Sequence, residues 1–181
     1  MHNVTCSSYD IVILTETKLD SGVLSSELGF LHYKVYRCDR STNTSSKISG
    51  GGVLVAVCSE FNSYSVSSPC EELEAAFVIV NIDKDVALLI CGVYIPPNEQ
   101  LTKYQTFCDA FERLNLDPKI KFDNALIAGD FNLISAANPD ASKNIIYDTA
   151  STYNIKQNNT ISNFRGVSLD LVFSDLPCMV E

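Results

Sequence analysis

Short apolar runs rich in β-branched residues recur along the chain, and they constrain its fold more than any other feature. The first run, at residues 11–14, is continuously apolar, which is typical of a strand covered on both faces. Because every run is far shorter than the ~20 residues that span a bilayer, we expect no membrane contact. The runs predict the strands of an α/β domain, and the others lie at residues 33–37, 53–58, 75–82, 86–94, 125–128 and 169–173.

The segments between these strands predict two helices and two long loops. Residues 102–105 fit a capping box, and the second predicted helix spans residues 141–153. Loops are expected at residues 41–52 and in the serine-rich stretch after Cys58, while residues 83–85 form the joint of a hairpin. The spacing i, i+3, i+4, i+7, i+10 predicts one apolar face of the first helix, made by Tyr104, Phe107, Cys108, Phe111 and Leu114.

The composition favours one acidic domain. The chain has 181 residues, a net charge of −9 and 46% hydrophobic residues, and this charge counts against broad, unaided binding to a nucleic-acid backbone. Two interpretations stay open: carboxylates gathered around a hard divalent cation, or an acidic surface that only keeps the protein soluble. The seven cysteines lack metal-site spacing, so we expect them reduced and the protein nuclear or cytoplasmic.

Polar side chains follow two of the buried strands. Glu16 comes just after the first strand, and Asp130 and Asn132 follow the strand at residues 125–128. Extended geometry predicts Asp130 and Asn132 on one side and Phe131 on the other. A carboxylate beside a carboxamide suits phosphoryl chemistry, and Glu16 alone can hold Mg²⁺ that keeps several waters. The alternatives are an Asx-type turn at Asp130 and an inert or structural Glu16.

Two further polar residues belong to apolar strands. Asp170 lies between Leu169 and Leu171, where an unpaired buried charge is costly, so we expect it to have a partner. Tyr94 ends another strand just before Pro96. Taken alone, Tyr94 is better explained as a tyrosine at the edge of the core.

The order of these motifs resembles the endonuclease/exonuclease/phosphatase superfamily. Within it, the sequence is most similar to the apurinic-type endonuclease domains of non-LTR retrotransposons, over about residues 9–174. The segments that carry the resemblance are, in chain order, residues 10–19 (DIVILTETKL), 36–40 (YRCDR), 50–53 (GGGV), 93–97 (VYIPP), 129–132 (GDFN) and 168–173 (SLDLVF).

The resemblance implies a fold and an activity. The implied fold is α/β, an incomplete four-layer α/β/β/α sandwich with two mixed sheets, formed by residues 1–181 as one domain. The implied activity is phosphodiester hydrolysis with Mg²⁺, for which Mn²⁺ can substitute, by a monomeric DNA-nicking endonuclease that is fused to a reverse transcriptase in the full element. The alternatives are a phosphoesterase that acts on another ester and a non-catalytic relic or binding module of the same fold.

The resemblance also implies roles for individual residues, in metal binding, substrate binding and catalysis. By this likeness Glu16 is the metal ligand, Tyr94 contacts the scissile phosphate, Asp130 orients or activates the attacking water, Asn132 contacts phosphate, Thr160 lies at the DNA-binding face, and Asp170 orients a catalytic histidine.

Two elements of the family pattern have no counterpart in this sequence. The family has an asparagine on a strand upstream of the metal glutamate, whereas only fifteen residues precede Glu16 here. The family histidine lies well downstream of the last aspartate, whereas the only histidines here are His2 and His32. We therefore expect the N-terminal strand and the C-terminal histidine element to be absent, with weak or no turnover.

Overall fold

The computed structural model describes residues 9–45, 47, 49–161 and 170–177, and these form nine strands and two α-helices. Two 3-10 helical turns, Ser25–Leu28 and Leu133–Ser135, lie among them. No helix in this part of the chain is long and apolar enough to cross a membrane. The elements are β1 (Ile11–Thr15), β2 (Tyr33–Cys38), β3 (Val53–Cys58), β4 (Asn62–Val66), β5 (Glu74–Asn81), β6 (Ala87–Tyr94), α1 (Leu101–Leu116), β7 (Asn124–Asp130), α2 (Pro139–Thr152), β8 (Lys156–Gln157) and β9 (Asp170–Ser174).

The strands divide into two sheets. The smaller sheet has the order β1-β3-β2 and is antiparallel throughout. The larger sheet has the order β4-β5-β6-β7-β9-β8, and it is mixed because β6 and β7 run parallel while its other neighbours are antiparallel. The two-sheet α/β architecture is therefore confirmed, and the predicted hairpin of β5 and β6 is present.

The larger sheet is covered on both faces, which explains its continuous apolar runs. Phe77 belongs to the cluster that includes the buried faces of α1 and α2, whereas its neighbour Val78 belongs to the cluster shared with the smaller sheet. On the outer face of the smaller sheet, Leu28 and Phe30 pack against residues of β3. The layers are thus helices, larger sheet, smaller sheet and a 3-10 turn with its adjoining loop.

The strand predictions miss β4 and β8. The serine-rich stretch after Cys58 is not only a loop, because it contains β4, an edge strand whose side chains are mostly exposed and so form no apolar run. The run at residues 11–14 is covered on both faces as predicted, since Ile11 and Ile13 pack against one core cluster and Val12 and Leu14 against another. Its side chains stay partly exposed because β1 is an edge strand. The two-residue strand β8 shows no detectable periodicity, and Leu169 lies outside the described residues.

The predicted helices are both present, with different first residues. The apolar face of α1 is confirmed, since its five predicted members are all buried. The predicted capping box is wrong, because α1 begins at Leu101 after Gln100, which makes no side-chain cap hydrogen bond, and Thr102 already lies in the first turn. The second helix begins at Pro139, where the Asn138 side chain accepts a hydrogen bond from the backbone N–H of Ala141 at 3.3 Å.

Candidate active site

Strand pairing brings three of the predicted site residues to one edge of the larger sheet. Tyr94 and Asp130 are register partners at the ends of the parallel strands β6 and β7. Asp130 is also the register partner of Asp170, the first residue of the antiparallel strand β9. Parallel strands end at the same edge, and an antiparallel neighbour begins there. These three residues therefore occupy adjacent strands at one end of the sheet.

Glu16 joins this group from the smaller sheet. It follows β1 in a left-handed backbone conformation, with φ of 52°, and its carboxylate Oε1 accepts a hydrogen bond of 2.7 Å from the Tyr94 hydroxyl. Glu16 is exposed, whereas Tyr94 is only 4% exposed. Burial raises the pKa of Tyr94 well above its ordinary value, and the hydrogen bond and the charge of Glu16 raise it further. The hydroxyl therefore stays protonated and acts as a donor.

The surroundings of Asp130 change the ionisation of its carboxyl group. Burial raises its pKa above the ordinary value, the backbone hydrogen bond from Asn132 opposes this shift, and the charges of Asp170 and then Glu16 add to it. Both other carboxylates thus lie close enough to act on Asp130. A cation or a proton at this edge relieves their mutual repulsion.

Asp130 and Asn132 are half-buried while Phe131 lies in the core, so the predicted separation is present. A tight turn with Asn132 in a left-handed conformation, and not extended backbone, produces it. The backbone N–H of Asn132 donates to Asp130 Oδ1 at 2.9 Å, so the Asx-type turn forms as well. The Asn132 side chain donates to the carbonyl of Ile95 at 3.0 Å, and Phe131 is fully buried. At Gly129 a side chain has no room, because an added Cβ would overlap the backbone carbonyl of Val93.

The expectation that Asp170 is a buried charge in need of a partner is wrong. Its side chain is exposed at the first residue of β9, so its charge carries no burial cost. The Asn159 side chain donates to the backbone carbonyl of Asp170 at 2.8 Å, which brings the neighbouring Thr160 to the same edge. Thr160 is exposed and makes no side-chain hydrogen bond to another described residue.

The residues at this edge fit a magnesium ion bound by few protein ligands. The described part of the chain contains no group of three or more His, Cys, Asp or Glu side chains arranged around a metal position. Mg²⁺ often takes only one or two carboxylates and keeps several waters, and the exposed carboxylate of Glu16, whose charge acts on Asp130, meets that requirement. His32 is exposed at the opposite end of the smaller sheet, where its carbonyl accepts from the Ser59 N–H, and His2 lies outside the described residues.

A buried ion pair beneath Tyr94 was not assigned any role from the sequence. Arg40 Nε donates to Glu74 Oε1 at 2.8 Å, and the guanidinium carbon lies 5.7 Å from the centre of the Tyr94 ring. In the sequence, Arg40 ends the YRCDR segment and Glu74 comes just before a buried strand. Only the fold shows that these residues meet, since 34 positions separate them.

Comparison with known proteins shows likeness in structure alone. No protein-family model and no curated protein sequence matches this chain. The endonuclease domain of TRAS1, a telomere-specific non-LTR retrotransposon, is similar with a TM-score of 0.61 and 11% identity, over 91% of this chain and 71% of that one. The Neisseria 3′ phosphatase NExo, bound to a product DNA hairpin, is similar with a TM-score of 0.57 and 11% identity, over 96% of this chain and 79% of that one. An endonuclease/exonuclease/phosphatase from Beutenbergia cavernae is similar with a TM-score of 0.55 and 13% identity, over 94% of this chain and 56% of that one. This chain therefore spans little more than half of that protein.

Proposed function

Because this chain has the endonuclease/exonuclease/phosphatase fold, we propose that it hydrolyses phosphodiester bonds of DNA with Mg²⁺, for which Mn²⁺ substitutes. The observation that carries the proposal is the 2.7 Å contact of Tyr94 with Glu16, which joins the two sheets at the edge where Asp130 and Asp170 lie. Acidic, amide and phenolic groups at one edge supply the functions that phosphoryl transfer needs: a cation ligand, a base and hydrogen-bond donors.

Glu16 is the residue that we assign to the cation. Within the described part of the chain its only side-chain hydrogen bond is the one from Tyr94, and its exposure leaves the carboxylate open to a hydrated ion. When bound, Mg²⁺ supplies positive charge that stabilises the developing charge on the phosphate oxygens. The net charge of −9 makes this ion more important, because carboxylates alone repel a phosphate.

The side chains at the edge then have separate tasks. Asp130 accepts a proton from the attacking water, and its raised pKa makes it a stronger base than an ordinary aspartate. The water oxygen bonds to phosphorus, the bond to the leaving sugar oxygen breaks, and that oxygen takes a proton from solvent. Tyr94, held protonated, turns its single O–H from Glu16 to a phosphate oxygen once the Glu16 carboxylate holds the cation. Asn132 donates the amide proton that is not bonded to Ile95. Asp170 contributes negative charge that favours proton uptake by Asp130.

The order of the sequence motifs supports a non-LTR retrotransposon origin, with this monomeric domain fused to a reverse transcriptase in the full element. The similarity to the TRAS1 endonuclease domain agrees with this origin. We place Thr160 at the DNA-binding face, because it is exposed and follows Asn159, which is bonded to the start of β9.

The main experiment is a nicking assay on supercoiled plasmid with Mg²⁺ and with EDTA. We expect open-circular product with Mg²⁺ only, and its loss in Asp130→Asn. The matched control is Asp123→Asn, which removes the same charge just before the other end of β7 and keeps an acceptor for the Ala87 N–H. No nicking by the native chain, or equal nicking by Asp130→Asn, contradicts the proposal and favours a non-catalytic relic or binding module.

A second candidate is a phosphatase that removes terminal phosphates from DNA. The observation in its favour is the similarity to NExo, which is named as a 3′ phosphatase. A 3′-phosphorylated oligonucleotide distinguishes the two activities. Release of inorganic phosphate without plasmid nicking favours the phosphatase, whereas nicking without phosphate release favours the endonuclease.

A further inference from the structure

The ion pair of Arg40 and Glu74 is almost completely buried, with side-chain exposures of 6% and 1%. Both carboxylate oxygens of Glu74 are occupied, Oε1 by Arg40 Nε at 2.8 Å and Oε2 by the backbone N–H of Gly52 at 2.6 Å. Arg40 Nη1 donates to the carbonyl of Ser49 at 2.8 Å. The pair therefore links the end of β2, the glycine turn before β3 and the start of β5.

The glycine turn leaves room for this pair. Gly51 has φ of 64°, and an added Cβ would overlap both the Glu74 carboxylate and the Arg40 guanidinium. A side chain at this position is thus excluded by space as well as by backbone conformation. The ion pair thus explains the glycine at position 51, whereas an added Cβ at Gly52 would meet the Thr17 hydroxyl instead.

The ion pair lies beside the Tyr94 ring. Glu74 and Tyr94 are register partners on β5 and β6, and the guanidinium carbon of Arg40 is 5.7 Å from the centre of the Tyr94 ring. The Tyr94 hydroxyl reaches Glu16 Oε1. A continuous set of contacts therefore runs from the Gly52 N–H through Glu74, Arg40 and Tyr94 to the residue assigned to the cation.

We propose that Arg40 and Glu74 are positioning residues, which hold the Tyr94 ring so that its hydroxyl meets Glu16. Stability alone explains such a pair poorly, because a well-packed apolar pair in the same space is often equally stable or more so. The Arg40 guanidinium is planar and is held by hydrogen bonds to Glu74 and Ser49. Because this fixed cation lies against the aromatic face of Tyr94, it favours one orientation of the ring. The inference rests on the proposed function, for which that orientation matters.

The test uses the full chain with Arg40→Met and Glu74→Gln combined, since removing one partner alone leaves an uncompensated buried charge. The side-chain amide introduced by Glu74→Gln still offers an oxygen acceptor to the Gly52 N–H. The matched control is Arg37→Met, which breaks the neighbouring Arg37–Asp39 pair, with its Nε–Oδ1 distance of 3.0 Å. That pair belongs to the same strand end and makes no contact with Tyr94 among the described residues.

Two measurements are made on each variant. In plasmid nicking, we expect kcat of the double variant to fall by about 10- to 100-fold while KM changes little, because misplacement of a reacting group costs rate more than binding. The second measurement is NMR of ¹³Cζ-labelled tyrosine, in which the Tyr94 signal is assigned by its loss in Tyr94→Phe. Adding Glu16→Gln to the native chain should shift the Tyr94 signal, because it changes the partner of the hydroxyl. Adding the same substitution to the double variant should shift the signal much less. Arg37→Met should match the native chain in both.

The NMR result separates this inference from the proposed function. If the native chain does not nick DNA, the proposed function fails, while a Glu16-dependent shift that disappears in the double variant still supports positioning. A shift that persists in the double variant, or a kcat equal to that of Arg37→Met when the native chain is active, overturns the inference. If circular dichroism shows the double variant unfolded, Arg40→Lys, which keeps the charge without the planar guanidinium, is tested by the same two measurements.

Discussion

Replacing Tyr94 with phenylalanine isolates the contact on which the proposed site depends. The change removes only the hydroxyl, which donates to Glu16 Oε1 at 2.7 Å, and it leaves in place a ring that belongs to a residue only 4% exposed. The variant therefore tests the hydrogen bond without opening a cavity in the core.

The expected magnitudes differ for stability and for rate. Hydrogen bonds to charged groups contribute about 1.5–3 kcal/mol, but Glu16 is exposed and water replaces the lost donor. We therefore expect the free energy of unfolding to fall by about 1 kcal/mol, or ~2–4 °C in Tm for a chain of this length. Loss of a donor to the reacting phosphate should lower the nicking kcat by about 10²–10³-fold.

Tyr104→Phe is the matched control, because it removes the same atom from a different place. The Tyr104 hydroxyl donates to the carbonyl of Phe131 at 3.0 Å, and both residues are fully buried. Water cannot replace this donor, so the free energy of unfolding should fall by about 1–3 kcal/mol. Because the Tyr104 hydroxyl contacts the core side of the turn that carries Asp130, the nicking rate should fall far less in Tyr104→Phe than in Tyr94→Phe.

We therefore expect Tyr104→Phe to be the less stable of the two variants and Tyr94→Phe to be the less active. Initial nicking rates on supercoiled plasmid with saturating Mg²⁺ give the activity, and urea unfolding followed by circular dichroism gives the stability. The reasoning is refuted if Tyr94→Phe nicks as fast as Tyr104→Phe, or if rates in both variants simply follow the folded fraction.

Two further predictions concern the turn that carries Asp130. Because the pKa of Asp130 is raised in the folded chain, the native state binds its proton more readily than the unfolded state, so this group makes stability fall as pH rises through its folded pKa. Asp130→Asn keeps an oxygen for the Asn132 N–H and removes the charge, so it should raise Tm at pH 7. It should give no gain in Tm below about pH 3.9, where the aspartate of the unfolded chain is also protonated. An equal gain in Tm at both pH values refutes this cause. Gly129→Ala should reduce the free energy of unfolding by about 3 kcal/mol or more, as overpacking against a rigid backbone does, because its Cβ meets the Val93 carbonyl; native-like urea unfolding contradicts that account.

Elements with strong local periodicity are those that the sequence alone predicts. The buried face of α1 follows from apolar residues at helical spacing, and the continuous runs of β5 and β6 follow from burial on both faces. The edge strand β4 has no such pattern, since most of its side chains face solvent. Its strand conformation depends on hydrogen bonds to β5, which local sequence does not encode.

The same division applies to the candidate site. The order of motifs along the chain singles out Glu16, Tyr94 and Asp130, because each follows or ends an apolar strand and matches a family pattern. The exposure of Asp170 was decided by the tertiary structure, since only the fold shows that this residue opens β9 and that its side chain reaches solvent. The pairing of Arg40 with Glu74 was decided there too, because a contact across 34 residues depends on how β2 and β5 are placed by their sheets.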